Sequence, residues 1–125
     1  MNQTPTEPLN PVEVERRIME LSNLIAQGVQ QVTDHLRSYR QADAEYDRAK
    51  ARAQLAAEGK TVADRDAVVE LATVDERDAK DVAEVAYSHV NRRVKAFERE
   101  LDAIRSIGAS VRSMYAVAGR GPHES

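Results

Sequence analysis

Between Val12 and Ala118 the chain contains no proline and only three glycines, Gly28, Gly59 and Gly108. Proline and glycine punctuate turns, so a chain that lacks them over such a stretch has few places at which to reverse direction. Ala, Glu, Asp, Arg, Val and Leu fill the interval, a composition suited to long helices and unsuited to a sheet protein with regular turns. Apolar residues make up 42% of the 125 residues, but more than a third of them are Ala. Few side chains are large enough to fill a wide core, which argues against a compact globule and for thin helix-on-helix packing.

The pattern predicts two helices. Residues 1–10 carry Pro5, Pro8 and several polar residues without apolar periodicity, and read as a flexible N-terminal tail. Asn10 is a candidate N-cap, Pro11 suits the first helical position, and Glu13 completes a capping box. From there a stripe runs through Val14, Ile18, Leu21, Ile25, Gly28, Val32, His35, Tyr39, Ala42, Tyr46, Ala49, Ala53 and Ala56, at spacings alternating between four and three. That is a heptad seam. The first helix is expected over residues 11–58, roughly 70 Å long at 1.5 Å per residue, with Gly28 a site for a kink and Gly59 its stop.

A turn is expected over residues 59–61. Thr61 is a plausible N-cap, followed three residues later by Asp64. A second helix is expected over residues 62–118, with a break near Gly108. Its stripe reads Val68, Ala72, Ala79, Val82, Ala86, Val90, Val94, Phe97, Leu101, Ile104, Gly108, Val111 and Tyr115, with a stutter-like slip of phase between Ala86 and Val94. Residues 119–125, with Gly119, Gly121 and Pro122, form a flexible C-terminal tail. The short connection predicts an all-α fold, a long antiparallel helical hairpin resembling a coiled coil.

Small residues concentrate near the turn, whereas bulky ones gather at the far end, in Ile18–Leu36 and Phe97–Tyr115. Two helices alone leave part of that surplus uncovered, so self-association through Leu101, Ile104, Ile107, Gly108, Val111 and Tyr115 is expected.

Several function classes fall away. The chain has no Cys, which excludes disulfides, thiol catalysis and the common structural zinc sites. His35, His89 and His123 are isolated, and no metal site or cofactor is expected; His35 on the seam reads as a polar register-setting residue. Gly59-Lys60-Thr61 mimics the tail of a phosphate-binding loop, but the earlier glycine would fall at Gln54 and no strand precedes it. Asp43, Glu45 and Asp47 alternate round a helix surface. No nucleophile, base and orienting group can be assembled, so no catalytic residues and no enzyme are expected. There is no run of about 18 apolar residues and so no membrane span. The N-terminus lacks a signal-peptide pattern, and the expected compartment is the cytoplasm.

Net charge is −3, unevenly spread: residues 64–84 hold eight acids and three bases, and residues 92–112 hold six bases and three acids. Arg37, Arg40, Arg48, Lys50 and Arg52 lie on the first helix, interleaved with Tyr39 and Tyr46. Arg92, Arg93, Lys95, Arg99, Arg105 and Arg112 lie on the second. Bases of this kind neutralise phosphates, and tyrosines stack on unpaired bases. The alternative is ordinary helix-surface charge with tyrosines on the seam.

The segment Leu101-Asp102-Ala103-Ile104-Arg105-Ser106-Ile107-Gly108, followed by Val111 and Arg112, resembles the C-terminal segment of the UvsY family of phage recombination mediators. That family reads L-D-A-I-[KR]-S-x-G with a β-branched residue and a base at the same offsets. Lys50-Ala51-Arg52 is similar to the K-A-R triplet that precedes the family's turn. The resemblance spans most of residues 21–117. It implies a ring-like homo-oligomer whose C-terminal helices gather centrally. It further implies single-stranded DNA bound outside and handed from a single-strand-binding protein to a RecA-like recombinase, in the host cytoplasm if the chain is phage-encoded. Lys50 and Arg52 would be the carried-over DNA contacts, joined by the neighbouring Arg48, Arg40, Arg37 and Tyr46.

Two function classes therefore compete. One is a recombination mediator that binds single-stranded DNA. The other is a structural or chaperone coiled coil, such as a phage assembly or scaffold protein, which the acidity and low complexity favour.

Overall fold

The computed structural model describes residues 10–120, and among these every regular element is helical. Three helices follow one another: α1 over Pro11–Ala56, α2 over Val62–Ala72 and α3 over Val74–Arg120. The expected tails at residues 1–9 and 121–125 lie outside the described residues. Gly119, expected in the C-terminal tail, is instead helical, and α3 runs through Gly108 without a break.

Side-chain caps open the first two helices. At the start of α1 the Glu13 amide donates to Asn10 Oδ1 at 2.9 Å, and the Asn10 amide donates to Glu13 Oε2 at 3.4 Å. This is the reciprocal capping box that the sequence predicts. At the start of α2 the Asp64 amide donates to Thr61 Oγ1 at 3.0 Å. α1 stops at Ala56, two residues before the expected end. Gly59 acts through its lack of a side chain: a Cβ there would meet Asp64 Cβ at 3.0 Å and the Arg65 amide nitrogen at 3.2 Å.

The expected second helix is two helices. Thr73 separates them, with φ −119° and ψ 18°. Its hydroxyl donates to the Val69 carbonyl at 2.8 Å, its amide donates to the Glu70 carbonyl at 3.4 Å, and its own carbonyl accepts from the Arg77 amide at 3.0 Å. A threonine hydroxyl that bonds back along the helix competes with the regular ladder. Thr73 is only 3% exposed, and these bonds satisfy it.

The seam on this half also differs from expectation. Buried and half-buried positions include a regular run at Val69, Thr73, Glu76, Lys80, Ala83, Tyr87, Val90, Val94, Phe97, Leu101, Ile104, Gly108 and Val111, and beside it Val74, Arg77, Ala86, Ser88, Asn91 and Glu100 are half-buried as well. In the regular run the spacing alternates between four and three throughout, so there is no phase slip. The apolar residues first assigned to the seam, Val68, Ala72, Ala79 and Val82, are exposed. Ranking by hydrophobicity passes over Glu76 and Lys80, whose aliphatic stems can line a seam while their charges reach water. On α1 the expected stripe holds: Val14, Leu21, Gly28 and Ala49 are buried, and the rest is half-buried up to Ala53, with only Ala56 exposed.

The helices form two compact units, residues 28–93 and the remainder. In the second of these, α1 and α3 pack antiparallel. Leu21 is 0% and Val14 1% exposed, and Val94, Leu101 and Val111 are buried with them. Gly108 allows the close approach: a Cβ there would sit 2.8 Å from Val14 Cγ1. Beside this contact Arg17 Nε donates to Glu100 Oε2 at 2.7 Å, a bond that holds the Glu100 carboxyl below its ordinary pKa. In the 28–93 unit the chain turns back on itself as a helical hairpin, with Ala49, Val69 and Thr73 buried. No described helix is long and apolar enough to cross a membrane.

Gly108 and Gly119 provide a matched test. An interior Gly→Ala change ordinarily favours a helix by about 1 kcal/mol. Gly119→Ala, where a Cβ meets nothing within 4 Å, should leave the melting temperature unchanged or raised. Gly108→Ala should lower it, because overpacking costs about 1–3 kcal/mol, and Val14→Ala added to it should recover part of the loss. Thermal unfolding followed by circular dichroism reads all three.

Candidate nucleic-acid interface

The four arginines of the candidate site share one face of α1. At about 100° per residue, Arg37, Arg40, Arg48 and Arg52 fall within an arc of about 120°, roughly opposite the seam positions Tyr39, Ala42, Tyr46 and Ala53. All four are exposed. Arg37 Nη1 lies 3.6 Å from Asp34 Oδ1, with both side chains largely in water. Arg40, Arg48 and Arg52 form no ion pair among the described residues. Half-buried Ala44 and exposed Ala51 and Leu55 lie between and beyond them. The result is a basic stripe about 22 Å long at 1.5 Å per residue, backed by small side chains that leave the guanidinium groups room to adapt.

Lys50 stands apart from the stripe. It is half-buried on the side of α1 that faces α2, and its ammonium sits 5.3 Å from the centre of the Tyr46 ring. Lys80 Nζ lies at the same distance from that ring and 3.6 Å from Asp43 Oδ1. Tyr46 thus carries two ammonium contacts of the cation–π type. An open groove of about 490 Å³ adjoins it, lined by Tyr46, Lys50, Gln54, Asp66, Glu70 and Thr73. The groove carries both signs of charge, and Asp66 and Glu70 oppose entry of a phosphate.

The tyrosines are engaged inside the chain. Tyr39 stacks on Tyr87 with ring centres 6.2 Å apart and planes 13° from parallel, and its hydroxyl donates to Glu84 Oε2 at 2.7 Å. Neither Tyr39 nor Tyr46 stands free as a platform for a base. The sequence reading missed Lys80, Glu84 and Tyr87. The heptad count from Val69 finds Lys80 and Tyr87 once lysine is allowed on a seam.

The residues expected to mediate association divide. Leu101, Gly108 and Val111 are buried and Ile104 half-buried within the chain's own packing, whereas Ile107 is 44% and Tyr115 53% exposed. On α3, Arg92, Lys95, Arg99, Arg105 and Arg112 are exposed. The described residues contain no group of His, Asp and Glu suited to a metal ion. Thr61, in the segment that mimics a phosphate-binding loop, spends its hydroxyl on the helix cap.

Tyr39 supplies a pH-dependent readout of this packing. Its hydrogen bond to Glu84, then burial, then the carboxylates of Glu84, Asp43 and Asp81 raise its pKa above 10.0. A pKa raised on folding contributes stability that is complete below the unfolded value and lost as pH climbs through the raised one. Spectrophotometric titration should show Tyr39 ionising above its ordinary range. Glu84→Gln should bring it back towards the ordinary value and remove the matching alkaline loss of stability.

No family model matches this chain, and neither a curated protein nor a solved structure is significantly similar to it.

Proposed function

We propose that this protein is a non-catalytic mediator that binds single-stranded DNA along the outer face of α1 and helps load a RecA-like recombinase onto DNA covered by a single-strand-binding protein. The observation that carries the reading is the stripe of Arg37, Arg40, Arg48 and Arg52. These four guanidinium groups lie on the face turned away from the packing seam, and three of them are unspent on the chain's own acids. Arginine forks fit phosphate oxygens well, and phosphate contacts made without base contacts bind sequence-independently.

The engaged state of Tyr39 and Tyr46 shapes the mechanism. With those rings held by Tyr87 and by two lysines, affinity rests on the backbone phosphates rather than on base stacking. Binding of that kind is steeply salt-dependent and indifferent to base composition. A single subunit with net charge −3 offers modest attraction. Assembly into a homo-oligomer, ring-like as the Leu101–Gly108 resemblance implies, multiplies the stripe and raises avidity without new contacts. Exposed Ile107, Met114 and Tyr115 support such association. A mediator of this kind acts where the DNA is, in the cytoplasm, which is the host's if the chain is phage-encoded.

A structural or chaperone coiled coil without DNA binding is the second reading. It is favoured by the acidic stretch from residue 64 to 84, which repels a polyanion.

Binding of labelled oligo(dT) across a salt series separates the two. Each phosphate contact contributes a slope of about 0.7 in log affinity against log salt on a single strand. Arg48→Ala with Arg52→Ala should flatten that slope by about 1.4 per subunit engaged while helicity and oligomeric state stay unchanged. Lys50→Ala, which removes a groove lysine rather than a stripe residue, should have the smaller effect. A wild-type chain with no salt-sensitive binding hands the assignment to the structural reading.

A further inference from the structure

The charge imbalance of the second half of the chain is left unused by the DNA-binding reading. In the 28–93 unit, the periodicity of α3 gathers Asp78, Asp81, Val82 and Val85 on one face, opposite the seam positions Lys80, Ala83 and Tyr87. Val82 is 70% and Val85 65% exposed, and the two aspartates are exposed beside them. Further along α3, Arg92, Lys95, Ala96 and Arg99 occupy the equivalent heptad positions and are also exposed. Asp78, Asp81, Arg92, Lys95 and Arg99 form no ion pair among the described residues. An acidic face bearing two bare valines and a basic face with a small residue at its centre are thus both unspent.

We propose that these two faces are complementary halves of a self-association surface, the acidic face of one copy docking antiparallel on the basic segment of α3 in a second copy. In that register Asp78 lies opposite Arg99, Val82 opposite Ala96 and Val85 along the aliphatic stem of Arg92, with Asp81 beside Lys95. Ala96 lets the helices approach closely, and the valines gain the apolar cover they lack in the single chain. A parallel in-register pair would set Asp78 against Asp78 and Arg99 against Arg99, and a parallel pair staggered by two heptads would match only one acidic face with one basic face, whereas the antiparallel arrangement matches both faces of both copies. The surface rests on the self-association included in the proposed function but not on DNA binding, and it is separate from the exposed residues around Ile107.

The chain has no cysteine, so oxidative cross-linking has a clean background. A mixture of full-length Val82→Cys and Ala96→Cys chains, oxidised without DNA, should form the mixed disulfide, as should Val85→Cys with Arg92→Cys. Val82→Cys alone should not bridge, because antiparallel docking sets the two copies of residue 82 about 21 Å apart, beyond disulfide reach. Sedimentation adds the charge test. Lys95→Glu with Arg99→Glu should weaken self-association by about tenfold or more at low salt, and mixing that chain with Asp78→Lys/Asp81→Lys should restore it. Circular dichroism establishes that both remain helical. Ile107→Asp, which perturbs the other candidate contact, should leave the Val82–Ala96 bridge in place. Bridging of Val82→Cys to itself, bridging of Val85→Cys to Arg99→Cys instead of Arg92→Cys, or failure of the mixed charge variants to reassociate overturns the proposal. Loss of oligo(dT) binding in an otherwise cross-linkable protein overturns only the DNA reading.

Discussion

Everything in this chain depends on seams one side chain wide. The two stripes, from Val14 to Ala53 on α1 and from Val69 to Val111 on α2 and α3, alternate four and three throughout. Neither contains enough bulk for a second layer. Gly108 against Val14 marks how tightly such a seam closes, since even one added carbon would fall 2.8 Å from its neighbour. Where the seam is apolar, at Leu21, Leu101 and Val111, burial of aliphatic carbon supplies the stability. Where the seam is polar, at Tyr39, Tyr46, Lys80 and Tyr87, ring stacking, cation–π contacts, an ion pair with Asp43 and a hydrogen bond to Glu84 take over. Directional contacts of this sort specify register more than they add stability, a role that polar seam residues have in coiled coils generally.

A thin fold leaves a large outer surface, and this one is organised. The outer face of α1 carries arginines, and the outer face of the first part of α3 carries aspartates and bare valines. Phosphate neutralisation and helix-to-helix docking are what such faces do well. Of the four stripe arginines only Arg37 forms an ion pair among the described residues, with Asp34. In the proposed binding mode a nucleic-acid strand would meet the local field of the stripe, summed over copies.

Much of this was legible from residue order. The absence of proline, the α1 stripe, the Asn10–Glu13 capping box and the Thr61 cap all follow from local chemistry that needs no partner. The stripe of arginines was legible too, because spacings of three, four and eight residues on one helix fix a face without reference to anything else. What escaped was the environment of individual side chains. Lys50 and Arg52 are two residues apart and equivalent as charges, yet one is half-buried over a tyrosine and the other is in water.

The sequence by itself determined that the chain is helical, where α1 and α2 begin, and which face of α1 packs, because hydrophobic period and capping act over one or two turns. Only the tertiary structure decided the break at Thr73, the true seam of α3 and the engagement of both tyrosines. Those depend on which residues arrive opposite from the antiparallel strand of the hairpin. Val68 and Val82 are more hydrophobic than Glu76 and Lys80, and a reading by hydrophobicity buries them. The fold instead half-buries Glu76 and Lys80, with Asp43 and Tyr46 of α1 in contact with Lys80, and leaves Val82 70% exposed.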